Sequence, residues 1–363
     1  MKDKTFIIKF FLTLTLSLLA IMSLNFFVDP GNVYYRRYLI QKEGANIVNK
    51  FNGSLYGLAY KGNDRFFAAL MARNAKGKDC IVIGSSHVMQ ISTIRGKHIK
   101  KICRNLLNLG VSSASIEDLY IFLELLDTNG NLPSKLLLGI DPWLLKWDMD
   151  SSYFVNSKYL NSFLIRHQII KPNYVFSDFE AYLIKNLLNL EYTEKTVQQL
   201  FVEGFSFKFL NDIQYFPLDS ENPLLNPLND IGVKLKDGSH LYPKKFLAEN
   251  ITGSDYEKEP SYKLFGPDFD QAVVNQFEEI LKEYKKKTEI IFILTPYHPS
   301  SFRSKFTKYN SYLINVEKKI RLVAQKLGIK IYGSYNPSIS GCDSTEFYDY
   351  MHPTADCVDK IFR

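Results

Sequence analysis

The sequence has little of what metal- and nucleotide-dependent proteins need. Its 363 residues include only 4 cysteines and 6 histidines, with no C-x-x-C pair and no cluster of His and Cys, so a structural zinc site is not expected. There is no phosphate-binding P-loop, no G-x-G-x-x-G motif, no internal repeat and no coiled-coil heptad. We therefore expect chemistry without a metal or another cofactor.

Concentrated positive charge is also missing. Lysine and arginine number 45 against 38 acidic residues, a net charge of +7, and Lys285-Lys286-Lys287 is the only tight cationic run. A nucleic-acid surface needs a denser stripe of cations, so we expect no nucleic-acid partner. The 46% hydrophobic and 14% aromatic content predicts a folded core. The length suits one large α/β domain with an insertion, or two modest domains.

The one long apolar run lies at the N-terminus. The run covers residues 10–28, which carry no charge, and Lys2, Lys4 and Lys9 precede it. About 20 apolar residues span a bilayer, and flanking lysines favour a cytoplasmic N-terminus. A cleaved signal peptide is the alternative, but no small-x-small cleavage site follows the run. We predict that residues 1–28 anchor a single-pass protein in the inner (cytoplasmic) membrane, with the rest extracytoplasmic, in the periplasm or at the cell surface.

After the anchor, residues 29–77 are predicted to be a juxtamembrane connection that either packs on the domain or lies near lipid headgroups. An exported domain permits disulfides. Cys80 and Cys103 each begin a predicted strand and come close if those strands are neighbours, whereas Cys342 and Cys357 lie on either side of a motif near the C-terminus. Four cysteines allow three connectivities, and the sequence does not choose between them.

From residue 78 onward, apolar runs alternate with amphipathic stretches. We predict strands at 80–84, 101–108, 135–140, 290–294 and 328–332, and helices from 84 to about 95 and at 112–126, 269–286 and 309–327. This order indicates an α/β domain with right-handed crossovers and a parallel sheet. Residues 150–265 break the alternation and are predicted to be a largely helical insertion. Its tail, 236–242, carries turn residues around His240 and forms either part of a cleft wall or a surface turn without a role.

Two short motifs carry chemistry. Gly84-Ser85-Ser86-His87 follows the first strand, at the sheet edge where α/β proteins build their sites. A serine there can lie at a helix N-terminus, whose N–H groups face a developing oxyanion, although an ordinary helix N-cap is the alternative. Asp349 precedes His352 by three residues, so its carboxylate can orient the imidazole. The other ring nitrogen is then free to take a proton from a serine.

Together these motifs resemble the SGNH (GDSL-type) hydrolase superfamily. Gly84-Ser85-Ser86 stands where the family has Gly-Asp-Ser, which implies that Ser86 is the nucleophile, with His352 and Asp349 completing the triad. Asn108-Leu109-Gly110 resembles the second block, implying that the backbone N–H groups of Ser86 and Gly110 form the oxyanion hole. Gly139-Ile140-Asp141-Pro142 occupies the place of Gly-x-Asn-Asp. Here Asp141 replaces the asparagine, and a carboxylate is a poor donor unless it is protonated.

The combination is most similar to the membrane-anchored extracytoplasmic branch that includes the D-alanyl transfer protein of teichoic acid synthesis and the alginate O-acetylation proteins. The resemblance implies a three-layer α/β/α, flavodoxin-like fold. It also implies a serine acyltransferase or esterase that acetylates or deacetylates a cell-envelope polysaccharide, with a membrane-bound protein as acyl donor. The alternative is a catalytically silent glycan-binding or scaffold protein, because Ser85 and Asp141 depart from the family pattern. His87, Asp141, Tyr297 and His298 are further candidates for substrate contact.

Overall fold

The computed structural model describes residues 2–30, 34, 46, 56–60, 64–145, 157–169, 184–203, 213–217, 226, 228, 231–248, 270–302 and 307–363. The helices are α1 (Lys2–Val28), α2 (Asp64–Arg73), α3 (Ile116–Thr128), α4 (Ser157–Arg166), α5 (Leu190–Glu203), α6 (Lys244–Ala248), α7 (Gln271–Tyr284), α8 (Thr307–Leu327), α9 (Pro337–Ser340) and α10 (Ala355–Lys360). The strands are β1 (Tyr56–Tyr60), β2 (Cys80–Ile83), β3 (Leu106–Asn108), β4 (Lys135–Gly139), β5 (Ile213–Pro217), β6 (Val233–Lys234), β7 (His240–Leu241), β8 (Glu289–Leu294) and β9 (Lys330–Gly333).

A five-stranded sheet in the order β3-β2-β4-β8-β9 forms the centre of the molecule. Every neighbouring pair in it is parallel; Ile81 of β2, for example, pairs with Leu107 of β3 and Leu136 of β4. The predicted α/β class and parallel sheet are confirmed. The carboxyl ends of all five strands therefore lie at one edge, where chain segments distant in sequence meet.

Alternate residues of these strands pack into two different cores. Ile81 and Ile83 point to one face, where α2, α3, α4, α7 and α8 supply the apolar cover. Cys80 and Val82 point to the other face and pack with residues 88–103 and with the C-terminal residues 358–362. Because parallel strands are buried on both faces, they appear in sequence as continuous apolar runs, which is why β2, β4 and β8 were predictable.

The connection from β2 to β3 differs from the predicted helix. It contains two short 3₁₀ helices, Ser86–Val88 and Ile99–Lys101, rather than one helix to residue 95. A disulfide between Cys80 and Cys103 closes this connection, and a second joins Cys342 to Cys357. Of the three possible connectivities, the structure thus has the one that pairs cysteines nearest in sequence.

A second sheet, antiparallel and in the order β5-β1-β6-β7, adjoins the first. It joins β1, from the predicted juxtamembrane connection, to three strands of the predicted insertion. The insertion is therefore not only helical. Strands β6 and β7 were not predicted because they have two residues each and are too short to show an alternating pattern in the sequence. The connection also contributes α2, whose Phe66, Phe67 and Leu70 are buried in the core, so this part packs on the domain. Residues 31–33, 35–45, 47–55 and 61–63 of the connection lie outside the described residues, and so do 150–156, 170–183, 204–212, 218–225, 227, 229–230 and 249–265 of the insertion.

Helix α1 is long and apolar enough to cross a membrane: it has 25 residues from Lys4 to Val28, and within them an 18-residue stretch of mean hydropathy 2.1 is not buried. Its last turn contacts the protein. There Asn25 Nδ2 donates to the carbonyl of Leu187 at 2.9 Å and to Thr193 Oγ1 at 2.8 Å. Just beyond α1, Asp29 accepts a hydrogen bond from the Tyr192 hydroxyl at 2.7 Å. Residues 4–21 of α1 are exposed throughout.

Candidate active site

The turn after β2 presents Ser86 at the carboxyl edge of the sheet. Ser85 caps the 3₁₀ helix Ser86–Val88, and its Oγ accepts from the His87 N–H at 3.2 Å. Only a residue without a side chain fits before this cap, because a Cβ on Gly84 would lie 2.9 Å from Val88 Cγ2 and 3.1 Å from the Gly139 Cα. Close packing of β2 against β4 thus forces the sharp turn that directs Ser86 outward while Ser85 stays buried.

Ser86, His352 and Asp349 form a continuous hydrogen-bonded relay. Ser86 Oγ lies 2.8 Å from His352 Nε2, and His352 Nδ1 lies 2.7 Å from Asp349 Oδ2. A carboxylate can only accept, so Nδ1 carries the proton and Nε2 presents a lone pair to the Ser86 hydroxyl. The three residues predicted from sequence come together across 266 positions of chain. This arrangement is able to remove a proton from a serine.

Asp349 is held in its charged form. Burial alone would raise the pKa of its carboxyl group, but hydrogen bonding to the His352 ring and the charge of that ring hold the pKa below its ordinary value, with help from the backbone N–H groups of His352 and Met351. Each of these two N–H groups donates to Asp349 Oδ1 at 2.7 Å. Oδ1 therefore fixes the loop while Oδ2 orients the imidazole.

The loop that carries Asp349 and His352 is closed at its base. Phe347 and Pro353 form an isolated β-bridge, and the Tyr348 N–H donates to the His352 carbonyl at 2.8 Å. The disulfide between Cys342 and Cys357 encloses the whole segment. These constraints hold the imidazole in place before substrate binds, which reduces the entropy cost of reaching the reactive geometry.

The backbone donors near Ser86 differ from those expected. Gly110 lies beside the turn, but its N–H donates to Asn108 Oδ1 at 2.9 Å. Asn108 is itself fixed, because its Nδ2 donates to the carbonyls of Val88 and Ile91. In this arrangement Gly110 does not offer its N–H to an oxyanion, contrary to the prediction. The Ser86 N–H, in contrast, is not paired with any residue that the structure describes.

Four predicted substrate-contact residues lie beneath the site instead of lining it. His87 and Tyr297 are 0% exposed, and Asp141 and His298 are 2% exposed. His298 Nδ1 bonds to the Ser300 hydroxyl at 2.8 Å, so it stabilises the turn after β8. All four side chains are too buried to line the cleft above Ser86 in this structure, and their contact with substrate stays a prediction.

His87 and Asp141 form a buried pair under the nucleophile. Their nearest side-chain atoms, His87 Nδ1 and Asp141 Oδ1, are 3.7 Å apart. Burial, assisted by the charge of His352, lowers the pKa of His87 to about 3. Burial raises the pKa of Asp141 to about 7, although hydrogen bonds from the side chain and backbone of Ser85 oppose the shift. Near neutral pH His87 is therefore neutral, and Asp141 is only about half ionised.

A cleft of about 670 Å³ opens above Ser86 and His352. Besides these two residues it is lined by Asp64, Arg65, Met89, Ser112, Ser113, Trp143, Lys234, His240, Tyr242, Phe246 and Met351. Tyr242 and Phe246 stack on each other with ring centroids 4.5 Å apart, and their rings lie 5.8 and 6.2 Å from the His352 ring. Of the two alternatives for residues 236–242, the cleft wall is therefore the one the structure has.

Two cations of the cleft were not identified from the sequence. Arg65 is 6% exposed and forms a two-pronged ion pair with Asp118 at 2.8 and 2.9 Å. Lys234 is 8% exposed and donates to the Gly110 carbonyl at 3.2 Å. Burial lowers the pKa of Lys234 to about 8, against the opposing charges of Asp64 and Asp237. Lys234 thus places positive charge beside the serine turn, and no local sequence pattern indicated this.

Lys234 reaches the site because a tight turn docks the second sheet onto the first. Gly238 has φ +77°, and a Cβ on it would lie 2.2 Å from the Asn108 carbonyl oxygen. The Asn108 N–H donates to the Asp237 carbonyl at 2.7 Å, while the Asp237 carboxylate accepts from Ser92 and Ser239. Only glycine allows this approach, so the signal available in the sequence was the Asp-Gly pair.

Among the described residues, no group of three or more His, Cys, Asp or Glu side chains is arranged to hold a metal ion. Comparison of the chain with protein-family models, with curated proteins and with solved structures found no match.

Proposed function

We propose that the protein is an SGNH-type serine acyltransferase or esterase, anchored in the inner membrane by α1, with its catalytic domain outside the cytoplasm. Its substrate is a cell-envelope polysaccharide, and acetyl is the group it adds or removes. The observation that carries the proposal is the relay from Asp349 through His352 to Ser86 at 2.7 and 2.8 Å. The strand order β3-β2-β4-β8-β9 supports it, since taken in chain order it is the 2-1-3-4-5 order of flavodoxin-like sheets.

The proposed reaction has two steps. Ser86 Oγ attacks the acyl carbon of an ester donor while His352 Nε2 takes the serine proton. The tetrahedral intermediate collapses, the donor oxygen leaves with that proton, and the acyl group remains on Ser86. A sugar hydroxyl or water then gives a proton to His352 and attacks the acyl-enzyme, and Ser86 is released by the reverse sequence.

Transfer and hydrolysis differ only in the acceptor. The aromatic pair Tyr242 and Phe246 offers a flat surface for the C–H face of a sugar ring, and Lys234 offers positive charge for polar or anionic groups. A membrane anchor brings the domain to a membrane-bound protein that supplies acyl groups. These features favour transfer to a glycan.

One observation favours a second function, a catalytically silent glycan-binding or scaffold protein. The Gly110 N–H is bonded to Asn108, so Ser86 supplies the only unpaired backbone donor of the predicted oxyanion hole. Loss of one such donor lowers rates by about 10²–10³-fold. This alternative requires that Ser86 does not form an acyl-enzyme.

The test is to trap the acyl-enzyme. Full-length protein in detergent is mixed with p-nitrophenyl acetate, quenched in acid and digested for mass spectrometry. We expect one acetyl group on the peptide containing Ser86, and faster p-nitrophenol release when polysaccharide acceptors are added. Absence of acetylation in protein that still binds the glycan would favour the silent alternative. Acetylation without any acceleration by glycans would favour an esterase over a transferase.

A further inference from the structure

Exposed apolar side chains gather on and just before α5. Ile184, Leu188, Leu190, Val197 and Phe201 are 58, 47, 87, 37 and 87% exposed. They account for five of the nine large apolar side chains exposed among the described residues outside α1. We call these five residues the α5 patch. Such a concentration marks an interaction surface, whereas single exposed apolar residues are ordinary.

The three residues of the α5 patch that lie within α5 occupy one stripe of this helix. Val197 and Phe201 follow Leu190 by about two and three turns, so at 3.6 residues per turn the three side chains point the same way. The opposite face is used by the protein, because Tyr192 and Thr196 are buried. Helix α5 therefore packs with one face and leaves its apolar face uncovered.

The packed face of α5 holds the end of α1. Asn25 donates to Leu187 and Thr193, and Asp29 accepts from Tyr192; Asn25 and Asp29 are both 0% exposed. The 27 residues of α1 extend about 40 Å, somewhat more than the hydrocarbon thickness of about 30 Å. When α1 spans a bilayer from its N-terminus, its last turn lies at the far lipid boundary, and so does α5.

We propose that residues 184–203 form a second membrane contact, an amphipathic helix lying in the outer lipid interface beside α1. The segment is held against the end of the membrane helix, which puts its exposed apolar face at the lipid boundary and identifies lipid as its partner. Exposed charges of both signs border it, two lysines and two glutamates, with Lys195 paired to Glu191 at 2.7 Å. Binding therefore depends on apolar burial and not on anionic lipid. Two contacts stop the domain from rotating freely about α1, and this consequence is independent of the proposed catalysis.

Phe201→Trp provides the test, with Ile339→Trp as its matched control. Ile339 is also exposed, at 69%, but lies in α9 near the C-terminus. Each full-length variant is placed singly in phosphatidylcholine nanodiscs, and the signal of the 2 native tryptophans is subtracted. We expect lipids brominated near the headgroup to quench F201W at least about twofold more than I339W, with the reverse order for aqueous iodide.

Equal quenching of the two variants by bromolipid would overturn the proposal. So would an F201W signal shielded from both quenchers, because the patch would then be covered by protein. A circular dichroism spectrum and an unfolding midpoint matching wild type show that each variant is folded. Replacing phosphatidylcholine with an anionic lipid is expected to change the quenching less than twofold, and a strict requirement for anionic lipid would contradict the apolar mechanism.

Discussion

Replacing Asp349 with asparagine removes the charge of the relay and keeps its shape. Asparagine Oδ1 still accepts the two backbone N–H groups that Asp349 Oδ1 accepts at 2.7 Å, so the loop is expected to stay in place. The amide Nδ2 takes the position of Oδ2 and donates to His352 Nδ1. The imidazole then carries its proton on Nε2 and cannot accept one from Ser86.

The size of the effect follows from the ion pair that forms during the reaction. When His352 takes the serine proton it becomes a cation beside the carboxylate, with the facing atoms 2.7 Å apart and the side chains 18 and 16% exposed. At an effective dielectric constant of about 20, charges about 4 Å apart attract by about 4 kcal/mol. Since each 1.36 kcal/mol changes a rate tenfold, Asp349→Asn is expected to slow acylation by at least about 10³-fold.

The assay is the second-order rate of labelling by a fluorophosphonate, which needs no knowledge of the natural substrate. Asp343→Asn is the matched control, since Asp343 lies in the same loop and caps the 3₁₀ helix Ser344–Glu346 through Thr345. Asparagine is an equally good cap, so this variant is expected to react within about twofold of wild type. A rate for Asp349→Asn within tenfold of wild type would refute the proposed role of the carboxylate.

Three further predictions concern stability. Burial raises the pKa of Asp141 to about 7, so the stability it contributes is complete below pH 3.8 and is lost as pH rises to 7. In urea titrations, Asp141→Asn should raise the unfolding free energy by up to about 4 kcal/mol at pH 8 and should leave it almost unchanged at pH 4. An equal increase in the unfolding free energy at the two pH values would contradict this. Burial lowers the pKa of Lys234 to about 8, so stability falls as pH drops from 10.5 to 8. Lys234→Met should therefore add about 3 kcal/mol at pH 7 while slowing labelling of Ser86, and a destabilised variant would contradict the burial cost. Replacing Cys342 and Cys357 with serine opens a loop of 15 residues and should cost about 3 kcal/mol, measured by urea unfolding; an unchanged midpoint would show that the loop is held without the disulfide.

The parts of the site that local sequence specifies were predictable. The apolar run of β2 followed by a small-residue turn indicated Ser86, and the three-residue spacing of Asp349 and His352 is itself the geometry that orients the imidazole. The parallel sheet followed from apolar runs separated by helices of the right length. Each of these signals depends on residues close together in the chain.

The rest depends on contacts across long stretches of chain. Arg65 lies in the cleft because it pairs with Asp118, which is 53 positions away in the chain. Lys234 lies there because the turn that contains Gly238 packs against Asn108. The side-chain amide oxygen of Asn108 also accepts the Gly110 N–H. His87 and its buried neighbours were predicted to face substrate because they follow strands. Their burial is decided by the loops that fold over them, and periodicity carries no information about those loops.

The most direct test of the central claim is fluorophosphonate labelling of wild-type protein, Ser86→Ala and Ser85→Ala in parallel. The two serines are neighbours, but only Ser86 contacts His352, at 2.8 Å. The account predicts that wild type and Ser85→Ala are labelled and that Ser86→Ala is not. Labelling that persists in Ser86→Ala would contradict the account. So would a lack of labelling in folded wild-type protein whose cleft admits p-nitrophenyl acetate.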